Sequence, residues 1–235
     1  MRSKKFRRSL RKYGKRLSRM CAALAPRFDE EAVHRIRTTV KKFRALLRCW
    51  GRKGRRGLNA DFKELYRLLG ELRNIQLFLR SLHEKPPELA AWARAHAAGL
   101  ERRWQNLYDP SIVRKQVRMA GQRPRKKPLK AFLRKERTRV RSLLGERPLA
   151  DETIHSIRKV LKDMQYTVDK TPDELKRLAD EAGRFVDSRM GVSMINAGIK
   201  EGVHTPAVLR LKDNLERLKF RRKRRAVRAL TRWEP

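Results

Sequence analysis

The hydrophobic positions along most of the chain recur every three or four residues, which is the spacing of one face of an α-helix. Near the N-terminus the pattern runs through Leu10, Tyr13, Leu17, Met20 and Leu24. The strict alternation of apolar and polar residues that is typical of strands is absent from the sequence. We therefore predict an all-α protein of about eight helices.

Turn-forming residues separate these helical runs. We expect Asp29 to cap the second helix, because its short side chain can accept hydrogen bonds from the first helical N–H groups, and we expect the third helix to begin at Asn59. We expect breaks at four stretches rich in glycine or proline, which are residues 51–58, 109–110, 121–128 and 191–202. The stretch 121–128, GQRPRKKP, keeps no apolar periodicity and is the predicted connection between two halves of the chain.

The segment Val33–Trp50, VHRIRTTVKKFRALLRCW, separates basic from apolar positions with a helical period. Its basic row consists of His34, Arg37, Lys41, Arg44 and Arg48, and its apolar row consists of Ile36, Val40, Phe43 and Leu47. At 3.6 residues per turn the basic row covers an arc of roughly 80°. We predict that this row of cations binds an anionic ligand.

The same pattern returns in the second half of the chain. His155, Arg158 and Lys162 repeat the spacing of the first basic row, and Lys159 adds a further cation beside them. Each copy is followed by a helical run with a glycine and, four residues later, an amide or carboxylate; these pairs are Gly70 and Asn74, then Gly183 and Asp187. We predict a half-repeat 1–119, a linker 120–128 and a half-repeat 129–235, and we expect the two glycines to allow close helix packing.

Composition points to an anionic partner. The 235 residues include 63 Lys+Arg and 25 Asp+Glu, which gives a formal net charge of +38. Such self-repulsion favours association with a polyanion. Aromatic residues make up only 7% of the chain and lie mostly on apolar stripes, which favours a bare phosphate chain over single-stranded nucleic acid, whose binders stack bases on aromatic side chains.

Other classes of protein are disfavoured. No phosphate-binding G-x-x-x-x-G-K-[S/T] loop, H-E-x-x-H motif or paired-cysteine metal set occurs, so we expect neither catalysis nor a cofactor or metal. Cys21 and Cys49 lack a C-x-x-C spacing and are expected to be buried free thiols of a reducing compartment. The sequence has no secretory signal pattern and no apolar run of about 20 residues, and we expect a cytoplasmic protein.

The two basic motifs resemble the CHAD family, the conserved-histidine α-helical domain. The first half matches its H-x-x-R-x-x-x-K/R-x-x-R and L-G-x-x-R-D elements from His34 to Arg44 and from Leu69 to Arg73, and the second half matches from His155 and again at Gly183. The sequence departs from the family pattern at Asn74, Gln165 and Asp169. The E-x-E-x-K signature of the CYTH triphosphate hydrolases, which often accompany CHAD domains, is missing, so we expect a stand-alone CHAD protein.

The resemblance implies two antiparallel helical bundles, related by a pseudo-twofold axis, around a basic central cavity that binds inorganic polyphosphate. The predicted ligand residues are His34, Arg37, Lys41, Arg44, Arg48, Arg73, His155, Arg158, Lys159 and Lys162. Converging positive charge should lower the pKa of both histidines, so that a bound polyanion is taken up together with protons. Polyphosphate granules are an expected location, and the first half is expected to contribute more affinity.

A different reading of the charge remains open. A protein that coats DNA or RNA could use the N-terminal basic run and the run Arg221–Arg225 as clamps on the phosphate backbone, with affinity from counterion release and no reading of bases. Weak nucleic-acid binding is also compatible with a polyphosphate site. Attachment of the basic first helix to a membrane surface ranks below both, because its apolar seam is needed for the bundle.

Overall fold

The computed structural model describes residues 3–24, 27–50, 57–81, 86–120, 128–146, 148–168 and 170–233. Within these ranges the regular structure consists of α-helices, and no strand is found. The helices are α1 (Ser3–Leu24), α2 (Glu30–Trp50), α3 (Ala60–Ser81), α4 (Pro87–Leu107), α5 (Pro110–Ala120), α6 (Pro128–Gly145), α7 (Asp151–Thr167), α8 (Asp173–Lys200) and α9 (Pro206–Thr231). The predicted all-α class is confirmed.

Two helix starts follow from the local sequence as predicted. The carboxylate of Asp29 accepts a hydrogen bond from the backbone N–H of Ala32 at 2.8 Å. The amide oxygen of Asn59 accepts one from the N–H of Phe62, also at 2.8 Å. Both caps satisfy donors that the first turn of a helix leaves without a partner.

The predicted break at 109–110 is confirmed, because α4 ends at Leu107 and α5 begins at Pro110. The first position of a helix suits proline because the N–H it lacks would have no helical partner. The predicted break at 191–202 was wrong for most of its length. The glycine-containing run that begins at Gly191 continues α8 as far as Lys200, and α8 ends beside Gly202, whose φ of 93° is the left-handed conformation typical of glycine at helix ends. The predicted breaks at 51–58 and 121–128 lie almost wholly outside the described residues, as does the family departure at residue 169.

The chain divides into two compact units. The first unit contains Met1–Gln76 and His96–Phe132, and the second contains Leu77–Ala95 and Leu133–Pro235. Each unit therefore holds one of the two histidine-bearing helices, α2 in the first and α7 in the second. The half-repeats predicted from the sequence stay a prediction.

The apolar rows of both histidine-bearing helices are buried in the core of their own unit. In α2 the buried row consists of Ile36, Val40, Phe43 and Leu47, and in α7 it includes Ile157, Leu161 and Met164. Burial of each such side chain stabilises the fold by about 1.5–3 kcal/mol. These rows fix the rotation of α2 and α7, so the basic rows must face away from the cores.

The two cysteines are buried free thiols, as predicted. Burial raises the pKa of Cys21 to about 12. Among the described residues, no helix combines the length and the apolar character needed to cross a membrane.

Candidate polyanion-binding site

The basic row of α2 runs along one side of the first unit. His34 is exposed, and the four cations that follow it, Arg37, Lys41, Arg44 and Arg48, are half-buried. From the first to the last of these residues the row extends about 21 Å along the helix axis. It presents a line of cations to a ligand rather than a single point of charge.

The ring of Tyr66 on α3 orders two arginines of this row. The guanidinium carbon of Arg37 lies 5.1 Å from the centre of the ring, and that of Arg44 lies 5.4 Å from it. Arg37 Nη1 also lies 3.4 Å from the carbonyl oxygen of Tyr66, to which it donates. Such cation–π contacts restrict the arginine side chains before any ligand arrives. Tyr66 was not among the residues predicted from the sequence, although its position one helical turn before Gly70 places it on the same face of α3.

The glycines of the repeated motif make room for arginine side chains. A Cβ atom built on Gly70 would lie 2.5 Å from Arg37 Nη1, and one built on Gly183 would lie 3.2 Å from Arg158 Nε. We predicted that these glycines serve close packing of helices, and each one does face a side chain of another helix. The atoms that require the space belong to guanidinium groups. The same arginine–glycine pair occurs in both units.

Arg73 is held by a carboxylate. Its Nη1 lies 2.8 Å from Glu30 Oε1 and 3.3 Å from the carbonyl oxygen of the same residue. The Arg73 side chain is only 12% exposed, whereas that of Glu30 is 35% exposed. The predicted ligand residue Arg73 therefore also ties α3 to the first turn of α2, one turn before His34.

The basic row of α7 in the second unit is similarly placed. His155, Arg158 and Lys162 are half-buried, and Lys159 is exposed. His155 Nδ1 and Arg158 Nε are buried and, within the described residues, have no hydrogen-bond partner. Lys162 Nζ forms an ion pair with Asp180 Oδ1 on α8 at 3.1 Å.

The second copy has no aromatic residue at the position of Tyr66. When the two motif glycines are aligned, Ala179 occupies the place of Tyr66, and when the two histidines are aligned, Gln165 occupies the place of Arg44. The Gln165 side chain donates to the carbonyl oxygen of Leu175 at 2.9 Å. The counterparts of Arg44 and Tyr66 are therefore absent from the second copy.

Two further cations of the first copy have no counterpart in the second copy. Val186 stands at the position equivalent to Arg73, and Asp180 at the position equivalent to Arg67. Because Asp180 pairs with Lys162, an incoming anion must compete with a carboxylate for that lysine. The contacts within the second unit thus favour the expectation that the first copy binds more strongly.

Both histidines titrate below their ordinary range. Burial, together with the cations Arg73 and Lys41, lowers the pKa of His34 from its usual 6.5. Burial, followed by the charges of Lys159, Arg189 and Arg158, lowers the pKa of His155 to about 4. The predicted direction is confirmed, but loss of hydration outweighs the neighbouring charges as its cause.

The structure brings several predicted residues together within each unit. In the first, Arg37 and Arg44 meet on one tyrosine ring, and the charge of Arg73 acts on His34. In the second, the charges of Lys159 and Arg158 act on His155. A cavity shared by the two basic rows stays a prediction.

Comparison with known proteins identifies the family. Residues 8–190 match the family model of the CHAD domain, which is well over half of the 235 residues. Among solved structures, PptA from Streptomyces chartreusis is similar in fold, with a TM-score of 0.59 at 14% sequence identity over 97% of this chain and 96% of that chain. No curated protein matches the sequence. The chain belongs to the CHAD-domain family.

Proposed function

We propose that this CHAD-domain protein binds inorganic polyphosphate, without catalysis, through the basic rows of α2 and α7. The observation that carries the proposal is the arginine–glycine pair found in both units, Arg37 with Gly70 and Arg158 with Gly183. A repeated arrangement that leaves space for a guanidinium group indicates that the position of this group matters in each unit.

The chemistry of the rows suits a linear phosphate chain. Guanidinium groups present planar donor pairs to phosphate oxygens, while lysines add mobile point charges. A row about 21 Å long can contact several successive phosphates of one chain. The half-buried ring of Tyr66 beside the α2 row is already covered by Arg37 and Arg44, which leaves this ring poorly placed to stack on a nucleic-acid base.

Two cations that the nucleic-acid alternative assigns to a backbone clamp form contacts inside the second unit. Within the run Arg221–Arg225, Arg222 Nη1 donates to the carbonyl oxygen of Arg184 at 3.2 Å. Lys223 Nζ pairs with Asp151 Oδ1 at 2.6 Å. These contacts reduce the capacity of this run to act as a clamp on a phosphate backbone.

Proton uptake should accompany binding. A polyanion near His34 and His155 raises their lowered pKa values back toward 6.5, because it favours the charged imidazolium. We expect the calorimetric binding enthalpy near pH 6 to vary with the ionisation enthalpy of the buffer, in the direction of proton uptake. A binding enthalpy that is the same in all buffers would contradict a site at the histidines.

The test of ligand class is a competition experiment at near-physiological salt. Labelled long-chain polyphosphate is bound to the protein, and unlabelled polyphosphate, duplex DNA and RNA are added at matched phosphate concentration. We expect polyphosphate to displace the label at least about tenfold more effectively, a difference of about 1.4 kcal/mol. Equal displacement by DNA or RNA would replace this proposal with the nucleic-acid alternative.

A further inference from the structure

A groove between α1 and the start of α2 lies outside the predicted site. Its volume is about 800 Å³. Three of its ten lining residues are apolar, and the other seven are cations. The lining residues are Arg8, Arg11, Lys12, Lys15, Arg16, Arg19, Met20, Ala23, Ala32 and Arg35.

Six of these cations form one face of α1. From Arg8 to Arg19 they follow one another at steps of three, one, three, one and three residues, which keeps them on one side of the helix over about 16 Å. All six are exposed, and among the described residues none forms an ion pair with a carboxylate. No acidic residue precedes Asp29 in the sequence. Among the described residues, no carboxylate neutralises the positive charges on this face of α1.

The groove and the basic row of α2 lie on different sides of that helix. At 100° per residue, Arg35 is about 140° and Ala32 about 160° away from the centre of the row that begins at His34. The apolar core positions of α2 separate the two on one side of the helix. On the other side Arg35 is about 100° from His34, the nearest residue of the row, so the row and the groove present their charges in different directions.

The lining favours an extended phosphate chain over nucleic acid. Arginine and lysine side chains supply donors at intervals along the groove. Among the side chains that the structure describes, the lining contains no aromatic group on which a base could stack. The groove thus has the cation density that a bare phosphate chain requires.

We propose that the α1 groove is a second polyphosphate-binding site, which makes the protein multivalent. The inference rests on the proposed function of the α2 and α7 rows, since it assigns the same ligand to a separate surface. A protein with sites on two sides of α2 can hold two segments of one long chain or join two chains. Long polyphosphate should then bind more tightly than short polyphosphate, because the second contact becomes intramolecular.

Three variants with equal loss of charge test this site. In each, four cations are replaced by glutamine, which keeps a good helix propensity. The groove variant carries Arg11→Gln, Lys12→Gln, Lys15→Gln and Arg19→Gln. The row variant carries Arg37→Gln, Lys41→Gln, Arg158→Gln and Lys162→Gln. The α6 control variant carries Lys130→Gln, Arg134→Gln, Lys135→Gln and Arg137→Gln, all of them exposed.

The readout is the number of short polyphosphate chains bound per protein, measured by isothermal titration calorimetry at near-physiological salt. We expect this number to fall by one in the groove variant and to stay unchanged in the α6 control variant. If the groove variant binds as many chains as the wild type with equal affinity, the second site does not exist, while loss of binding in the row variant would still support the proposed function. If the row variant binds like the wild type, the proposed function fails instead.

A measurement on the wild-type protein covers the case in which the groove variant does not fold. Lysine acetylation is quantified by mass spectrometry with and without polyphosphate. We expect polyphosphate to protect Lys12 and Lys15 at least about fivefold more than Lys130 and Lys135 on α6. Equal protection of the two pairs would overturn the assignment of the groove.

Discussion

The substitution Gly70→Ala should weaken polyphosphate binding without weakening the fold. The added Cβ would lie 2.5 Å from Arg37 Nη1 and 3.4 Å from its guanidinium carbon. Since these atoms end a flexible side chain, the guanidinium group can swing away from Gly70 and from the ring of Tyr66. The helix gains about 1 kcal/mol when glycine is replaced by alanine, and it loses a cation–π contact of about 0.5–1 kcal/mol. We expect the free energy of unfolding to change by less than about 0.5 kcal/mol.

In Gly70→Ala the affinity for polyphosphate should change far more than the free energy of unfolding. A hydrogen bond between charged groups contributes about 1.5–3 kcal/mol, and a displaced Arg37 loses at least the smaller of these values, or about tenfold in Kd. Titration with polyphosphate and urea denaturation measure the two effects separately. In a protein that already carries Arg37→Ala, Gly70→Ala should cost almost nothing, because the side chain that it displaces is gone.

Gly99 provides the matched control. It lies within α4, and a Cβ atom built on it would meet nothing within 4 Å. Gly99→Ala should therefore raise the free energy of unfolding by about 0.5–1 kcal/mol and leave polyphosphate affinity unchanged. Gly183→Ala, with its 3.2 Å contact to Arg158, needs only a shift of a few tenths of an ångström and should cost less than about threefold. Equal effects of Gly70→Ala and Gly99→Ala on polyphosphate affinity would show that the space beside Gly70 does not position Arg37 for the ligand.

Three further predictions concern the partners of the basic rows. Tyr66→Leu should weaken polyphosphate binding about threefold, because it removes cation–π contacts of about 0.5–1 kcal/mol. Tyr66→Phe keeps the ring and should bind like the wild type. Identical titration curves for all three proteins would show that the ring of Tyr66 does not order the arginines for binding. Asp180→Asn should strengthen polyphosphate binding about two- to threefold, since it releases Lys162 from a partly exposed ion pair. Weaker binding in the same titration would show that the ion pair positions Lys162 for the ligand instead. Because the pKa of His155 is lowered to about 4, its neutral form stabilises the fold above pH 6.5, and this stability is lost as the pH falls from 6.5 through 4. Thermal unfolding at pH 7 and pH 5 should show a smaller decrease in His155→Gln than in the wild type, and equal decreases would exclude His155 as a source of the pH dependence.

Features that depend on neighbouring residues in sequence could be predicted. The periodicity of α2 and α7 sets which side chains are buried, and this in turn fixes the direction of their basic rows. The helix starts at Asp29 and Asn59 depend on side-chain oxygens that accept hydrogen bonds from N–H groups only three residues later. In these places local propensity and tertiary packing agree.

Features that depend on contacts between different helices could not be predicted from the sequence. The pairing of Lys162 with Asp180 and the contact of Arg37 with Tyr66 join different helices, and no spacing within one helix reveals them. Gly191 was predicted to break a helix, but it is buried against Leu215, where a Cβ atom would lie 3.5 Å from Leu215 Cδ1. Packing of this kind outweighs the low helix propensity of glycine, which costs about 1 kcal/mol.

The most direct test of the central claim compares the row variant with the α6 control variant for affinity to long-chain polyphosphate at near-physiological salt. Both variants lose four positive charges, so a general effect of net charge is the same in each. We predict at least about a hundredfold loss of affinity in the row variant, or about 2.8 kcal/mol, and less than about threefold in the control, with unchanged helical circular dichroism in both. Equal losses in the two variants would contradict the claim that polyphosphate binds to the histidine-bearing helices.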